Sequence, residues 1–280
     1  LRPDTEIEYC TAVGDDEISA QMLEGFAGHG IGTRFVTRRA DRSIGLYMIT
    51  LKDGERHFTY WRSASAARRL AEDGAALGLA LGWAETVYLS GITMAILEEG
   101  GRDRLLDAVT AAKAHGVRVV FDTNIRPRLW ASPDEMKTVI TRTASLADLT
   151  LPSFDDDSGA FGDADPSATA ARYAAAGSGA VIVKNGAGPV WIRAPGIDEA
   201  CPVEPATQVV DTTAAGDSFN AAIIDALDRG LGVRAAVAQA AGVARQVIAA
   251  RGALVPISAN GQALPSAPQA SAHPATGAPS

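Results

Sequence analysis

The sequence is short of the residues that mark several common chemistries. Two cysteines, Cys10 and Cys201, are too few and too far apart for a disulfide framework or a thiolate zinc site. They are expected to be reduced thiols of a cytoplasmic protein. The four histidines, His29, His57, His115 and His273, show no metal-ligand spacing. No apolar run approaches the ~20 residues of a membrane helix; the longest, residues 75–84, is broken by Gly78 and Gly82. Positive charge is in deficit, Lys+Arg 25 against Asp+Glu 33 for a formal net charge of −8. Nothing therefore supplies the basic footprint of a nucleic-acid or anionic-membrane partner. The phosphate loop G-x-x-x-x-G-K-[ST] does not occur. Gly28-His29-Gly30-Ile31-Gly32 lacks the G-x-G-x-x-G spacing and follows helix-like residues, so it reads as a helix-to-strand turn. The run Leu1-Arg2-Pro3-Asp4-Thr5-Glu6 does not have the pattern of a secretory leader.

What is present is core material, with 47% hydrophobic and 21% charged residues. Short β-like runs at residues 86–90, 117–121, 147–151, 180–183 and 190–193 alternate with helical patterns at 102–115, 133–146, 166–176, 217–229 and 233–250. That rhythm predicts an α/β domain over residues 1–257, with a parallel sheet covered on both faces by helices. Asp16 and Pro133 stand where helices start, and Gly116 where one ends. Residues 44–62 break the rhythm as two alternating strands turning at Lys52-Asp53-Gly54-Glu55. Phe58, Tyr60 and Arg62 share one parity on the second strand, and Trp61 has the other. A two-stranded hairpin is marginal alone, so it is expected to act as a lid over a ligand, the main domain or a second subunit. The exposed lid edge makes a homo-oligomer plausible. The tail 258–280, rich in Ala, Pro, Ser and Gly, is expected to be disordered.

The sharpest stretch is Asp211-Thr212-Thr213-Ala214-Ala215-Gly216-Asp217. A β-like run gives way to small residues, and an acid then opens a helix. The first N–H groups of that helix have no internal acceptor and, with the helix dipole, favour a phosphate. A carboxylate beside a phosphate site needs a reason. Either Asp217 takes a proton from an attacking hydroxyl, or it is an acidic first-turn residue favoured by the dipole.

This run resembles the D-T-x-G-A-G-D signature of the ribokinase-like (PfkB-type) carbohydrate kinases. The resemblance implies a three-layer α/β/α sandwich with a small β lid, an anion hole at Ala214, Ala215 and Gly216, and Asp217 as the catalytic base. Ala214 stands where the wider family has Gly. Asp122-Thr123-Asn124-Ile125-Arg126 is similar to the family's D-x-N-x-R segment, and Val183-Lys184-Asn185-Gly186-Ala187-Gly188 to its nucleotide-side turn. Val13-Gly14-Asp15-Asp16 is similar to the turn before an early helix. The family's earlier strand and its G-G-x-x-x-N-x-A segment are not found before Val13, so part of the sheet and of the sugar pocket is expected to be missing.

The segment Arg56-His57-Phe58-Thr59-Tyr60-Trp61-Arg62 with residues 63–68 resembles the branch of the family that phosphorylates 2-keto-3-deoxygluconate. The resemblance implies transfer of the ATP γ-phosphoryl group to the C6 hydroxyl of that sugar acid. A carboxylate substrate favours a guanidinium partner, with Arg62 and Arg126 as candidates. Tyr47, Tyr60, Asn124 and Asp217 complete the expected sugar side. Asn124, Lys184, Asn185, Gly186, Gly188, Ala214, Ala215 and Gly216 form the expected ATP side. Tyr60 and Trp61 have a structural alternative, packing the hairpin onto the domain. The family's N-x-x-E metal motif reads Ser153-Phe154-Asp155-Asp156 here. Asp156 is thus either a water-mediated Mg²⁺ ligand or, with Asp155 and Asp157, part of a solvated acidic loop. A neutral ketose or ribose as acceptor, or a relative that binds without catalysis, are the alternative functions.

Overall fold

The computed structural model describes residues 5–52 and 55–257. In chain order the elements are β1 (Ile7–Glu8), β2 (Thr11–Gly14), α1 (Glu17–Gly28), β3 (Ile31–Gly32), β4 (Val36–Arg39), β5 (Leu46–Lys52), β6 (Glu55–Trp61), α2 (Gly74–Trp83), β7 (Thr86–Ser90), α3 (Gly91–Ile96), α4 (Glu99–Ala114), β8 (Arg118–Asp122), α5 (Pro133–Leu146), β9 (Leu149–Thr150), α6 (Phe154–Phe161), α7 (Pro166–Ala176), β10 (Val181–Val183), β11 (Val190–Ala194), β12 (Ile197–Cys201), α8 (Ala215–Asp228) and α9 (Val233–Ile248). The chain divides into two compact units that separate between Pro202 and Val203.

In the larger unit a six-stranded sheet runs in the order β12-β11-β10-β9-β8-β7. Strands β7 to β10 are parallel, and β11 and β12 are added antiparallel. Central strands of a parallel sheet are covered on both faces and need continuous apolar runs. Val119, Val120 and Phe121 of β8 and Val181, Ile182 and Val183 of β10 are accordingly buried. Val119, Phe121, Val181 and Val183 pack with Met94, Leu106, Ile140 and Tyr173 in one core cluster. Parallel strands in successive βα units deliver their carboxyl ends, and the turns that follow them, to one edge of the sheet. Asp122 closes β8 there.

Helix boundaries follow their caps. Ser132 accepts from Glu135 N–H and Asp165 from Ala168 N–H, each followed by Pro at the first helical position. Asp16 caps α1 by accepting from Ser19 N–H at 2.9 Å, and it also receives the Ser19 hydroxyl. Those bonds hold its carboxyl below the usual range. Gly116, in the left-handed region at φ 89°, follows α4 as expected. The helix-to-strand turn at 28–32 is also found, α1 ending at Gly28 and β3 starting at Ile31.

Several expectations need correction. The run 147–151 forms only the two-residue β9. The acidic segment after Ser153 is not a loop but the first turn of α6, with Asp157 fully buried. Apart from these corrections, the two-residue β1 pairs in parallel with β3, and β2 pairs in parallel with β4. The lid hairpin is present as β5 and β6, paired antiparallel with Tyr47 opposite Tyr60. Its Asp53-Gly54 turn and the tail 258–280 lie outside the described residues.

The smaller unit carries α8 and α9 packed on each other. Phe219, Ala222, Ile223 and Ala226 of α8 recur at helical spacing and are buried, as are Ala236, Val237, Ala240, Val243 and Val247 of α9.

Candidate active site

In the smaller unit the run 211–217 turns from an extended segment into α8. Asp211 is buried and organises it: one carboxylate oxygen accepts from the N–H and hydroxyl of Thr213 (3.0 and 2.6 Å), the other from Gly252 N–H at 3.1 Å. Ala214 is the N-terminal cap residue of α8 at φ 60°, ψ 12°. This is the left-handed conformation that costs an L side chain roughly 1–2 kcal/mol. Ala215 N–H reaches Thr212 O at 3.3 Å, and the regular ladder begins with Ser218 N–H to Ala214 O at 2.9 Å. The Ala215 N–H is thus engaged inside the turn, and Gly216 follows it in the first turn of α8. Asp217 lies in that first turn, and its side chain is exposed.

In the larger unit the β8 exit gathers the other expected residues. Asp122 accepts from Lys184 Nζ at 3.1 Å and from the Tyr88 hydroxyl at 3.2 Å. The Lys184 and Asp122 side chains retain only 12% and 5% of their accessible surface. Asn124 has a positive φ of 32°, an uncommon conformation for a non-glycine residue. Arg126 donates from Nη1 to Asp156 Oδ2 at 3.1 Å and to its own neighbour's carbonyl, Ile125 O, at 2.7 Å. Lys184 is also tied by its backbone, donating to Pro152 O and accepting from Phe154 N–H, each at 2.8 Å. Asn185, Gly186 and Gly188 form the turn between β10 and β11: Gly188 N–H bonds Asn185 O at 2.7 Å, and Gly186 takes φ 52°. The β8 exit, α6 and the β10–β11 turn are therefore linked around Lys184.

On the lid, Tyr47 and Tyr60 stay exposed with ring centroids 6.3 Å apart. The Arg62 guanidinium lies over the Tyr60 ring, 4.2 Å from its centroid, within cation–π range. Trp61 keeps 57% of its surface. Tyr60 keeps 47%, so neither ring is a core residue.

Among the described residues no group of three or more His, Cys, Asp or Glu could hold a metal ion. Asp156 faces Arg126 instead of other carboxylates. One carboxylate of this kind fits Mg²⁺ carried on nucleotide phosphates, which keeps several of its own waters. It does not fit a protein cage. A cavity of about 630 Å³ in the larger unit, lined by Cys10, Arg34, Phe35, Arg39 and Glu72 among others, includes none of the expected site residues. Its charged rim is already paired, Arg39 and Arg69 with Glu72 and Arg34 with Glu8.

Reasoning from sequence missed Asp157. Its Oδ1 accepts from the Tyr173 hydroxyl at 2.5 Å and from Arg172 at 3.0 Å, and its Oδ2 from the Thr123 hydroxyl at 3.0 Å. Arg172 is shared with Asp163. The only signal was three consecutive aspartates after a proline-closed strand, a pattern equally typical of a solvated face.

Comparison with known proteins agrees with this geometry. The family model described as pfkB family carbohydrate kinase matches residues 5–260. The chain is 36% identical to 2-dehydro-3-deoxygluconokinase of Escherichia coli strain K12 over 256 residues, 89% of this chain and 83% of that protein. Among solved structures it superposes on the PfkB protein of Polaromonas sp. JS666 with a TM-score of 0.77 at 27% identity, covering 87% of this chain and 80% of the other. It is also similar in fold to the E. coli ribokinase II solved with ATP and Mg²⁺, with a TM-score of 0.76 at 22% identity, covering 89% and 79%.

Proposed function

This chain belongs to the pfkB family of carbohydrate kinases, and on that premise we propose that it phosphorylates the C6 hydroxyl of 2-keto-3-deoxygluconate with ATP. The observation that carries the chemistry is an exposed carboxylate, Asp217, in the first turn of a helix whose start is made of small residues. The substrate rests on the 36% identity to the E. coli 2-dehydro-3-deoxygluconokinase, together with the Arg62–Tyr60 stack on the lid.

In this reading Asp217 accepts the proton as the acceptor oxygen forms its bond to the γ-phosphorus. The bond from that phosphorus to the β–γ bridging oxygen breaks, and ADP leaves. The N–H groups of the Ala214–Ala215–Gly216 turn receive the charge that develops on the transferring group, that of Ala215 exchanging its 3.3 Å bond to Thr212 O. Arg62 and Arg126 pair with the substrate carboxylate, for which Arg126 exchanges its surface partner Asp156. Tyr47, Tyr60 and Asn124 supply further contacts to the sugar. Asn124, Lys184, Asn185, Gly186 and Gly188 serve the nucleotide. Asp156 would hold Mg²⁺ through water, and the bound ion would supply charge neutralisation at the phosphates.

A coupled ADP-release assay on a panel of sugars and sugar acids tests the proposal. Turnover with 2-keto-3-deoxygluconate at a kcat/KM at least a hundredfold above fructose and ribose is expected. Equal or better turnover of a neutral sugar, or no ADP release with the sugar acid, contradicts it.

A further inference from the structure

The buried Asp157 cluster is not part of the transfer chemistry, yet it touches the segment that carries the expected sugar contacts. Both of its carboxylate oxygens are engaged, Oδ1 by Tyr173 and Arg172 of α7 and Oδ2 by Thr123. Asp157 and Thr123 are both fully buried. Thr123 sits between Asp122 and Asn124, the first residue of the exit from β8. On its other side the backbone is wedged against α3: a Cβ on Gly91 would lie 2.0 Å from Thr123 O, so only glycine lets the two approach. The residue immediately after it holds the uncommon φ of 32°. Backbone of that kind persists only where its surroundings over-determine it. Those surroundings include the Gly91 contact on one side and the Thr123 hydroxyl–carboxylate bond on the other.

We propose that Asp157 is a positioning residue for the sugar-acid site: through the Thr123 hydroxyl its carboxylate fixes the turn after β8, and with it the placement of Asn124 and Arg126. The proposal rests on the kinase reading above for the identity of the ligand. Tyr173 and Arg172 anchor the carboxylate from the far side and have no bond to the turn, so the three donors have different consequences. Loss of the Thr123 bond releases the turn. Loss of the Tyr173 bond weakens the core and leaves the turn held.

Three single variants separate these effects. Thr123→Val keeps the shape and removes the hydroxyl, Thr123→Ser keeps the hydroxyl, and Tyr173→Phe removes the opposite bond. In steady-state kinetics with ATP and 2-keto-3-deoxygluconate, Thr123→Val is expected to raise the sugar-acid KM at least fivefold with kcat changed less than threefold. Thr123→Ser is expected to stay within twofold of wild type. Tyr173→Phe is expected to lower the thermal midpoint at least as much as Thr123→Val while leaving KM within twofold. Hydrogen exchange of the peptide spanning residues 121–130, read without ligand, is expected to speed up at least fivefold in Thr123→Val only. If the wild type fails to turn over the sugar acid, the kinase reading falls and the exchange experiment alone decides the positioning role. Unchanged exchange in Thr123→Val, or equal acceleration in Thr123→Val and Tyr173→Phe, overturns the inference, as does a KM that follows the thermal midpoint across the three variants.

Discussion

Lys184 donates from Nζ to Asp122 Oδ1 across 62 residues of sequence, and both side chains are almost withdrawn from water. Removing one member of such a pair strands the other's charge, at a cost of about 3–5 kcal/mol. Lys184→Met is therefore expected to lose about that much stability in urea unfolding. Asp122→Asn is expected to lose less, because an amide oxygen at the same place still accepts from Lys184 Nζ. A Lys184→Met loss below about 1 kcal/mol, the range of surface pairs, would contradict the buried-pair description.

Ala214 occupies the left-handed region where the family pattern has glycine. Ala214→Gly relieves that conformation and partly offsets the gain by unfolded-state entropy. The expected net effect is a stabilisation of at most about 1 kcal/mol with activity retained, since the backbone N–H is unchanged. Ala214→Val is expected to lose at least about 2 kcal/mol, because a β-branched side chain is an outlier at positive φ. Thermal melts of the two variants decide the matter, and a Val variant as stable as wild type would refute the assigned backbone.

Burial pushes the Asp157 carboxyl up to about 6 against the downward pull of Tyr173, Arg172 and Thr123, from an ordinary value of 3.8. Tyr173 and Arg172 face it from α7 and Thr123 from the β8 exit, with Asp163 sharing the guanidinium. Between those two values the folded protein binds a proton that the unfolded chain does not. The stabilisation linked to that proton is thus complete at about pH 4 and lost as pH rises through about 6. The thermal midpoint of wild type minus that of Asp157→Asn should therefore shrink from pH 4 to pH 7 and level off above. A difference that grows with pH would show the carboxyl to be held low instead.

The Arg62 guanidinium lies over the Tyr60 ring, 4.2 Å from its centroid. A charge-assisted bond to a substrate carboxylate contributes about 1.5–3 kcal/mol. Arg62→Leu is accordingly expected to raise the KM for the sugar acid by roughly 10–100-fold, without a matching loss on neutral sugars. An equal loss on ketoses would assign Arg62 to the lid's structure.

Where local chemistry dictates structure, the sequence was readable. α5 and α7 begin and end where their Ser-Pro and Asp-Pro starts and apolar spacing place them, and β7 coincides with its β-branched run. The alternating lid strands and the helix after Asp211-Thr212-Thr213 were equally legible. α2 was not assigned, because Gly74 to Trp83 is apolar all round and has no amphipathic period. β12 was missed because Ile197-Asp198-Glu199-Ala200-Cys201 is charged on its open face and owes its pairing to β11. α6 looked like a solvated loop because nothing local reveals that Asp157 meets Tyr173, Arg172 and Thr123. The motif residues of the candidate site stand in contiguous, recognisable runs, 122–126, 183–188 and 211–217. The contacts that set them, Lys184 to Asp122 and Thr123 to Asp157, arise only when distant segments meet.

The most direct test of the account is the turnover of Asp217→Asn with ATP and 2-keto-3-deoxygluconate, measured beside calorimetric titration of each ligand. Loss of a general base that acts only in the transition state is expected to lower kcat by roughly 10²–10⁴-fold and to leave both affinities within about tenfold of wild type. A variant that keeps near wild-type kcat would contradict the assignment of the proton to this carboxylate.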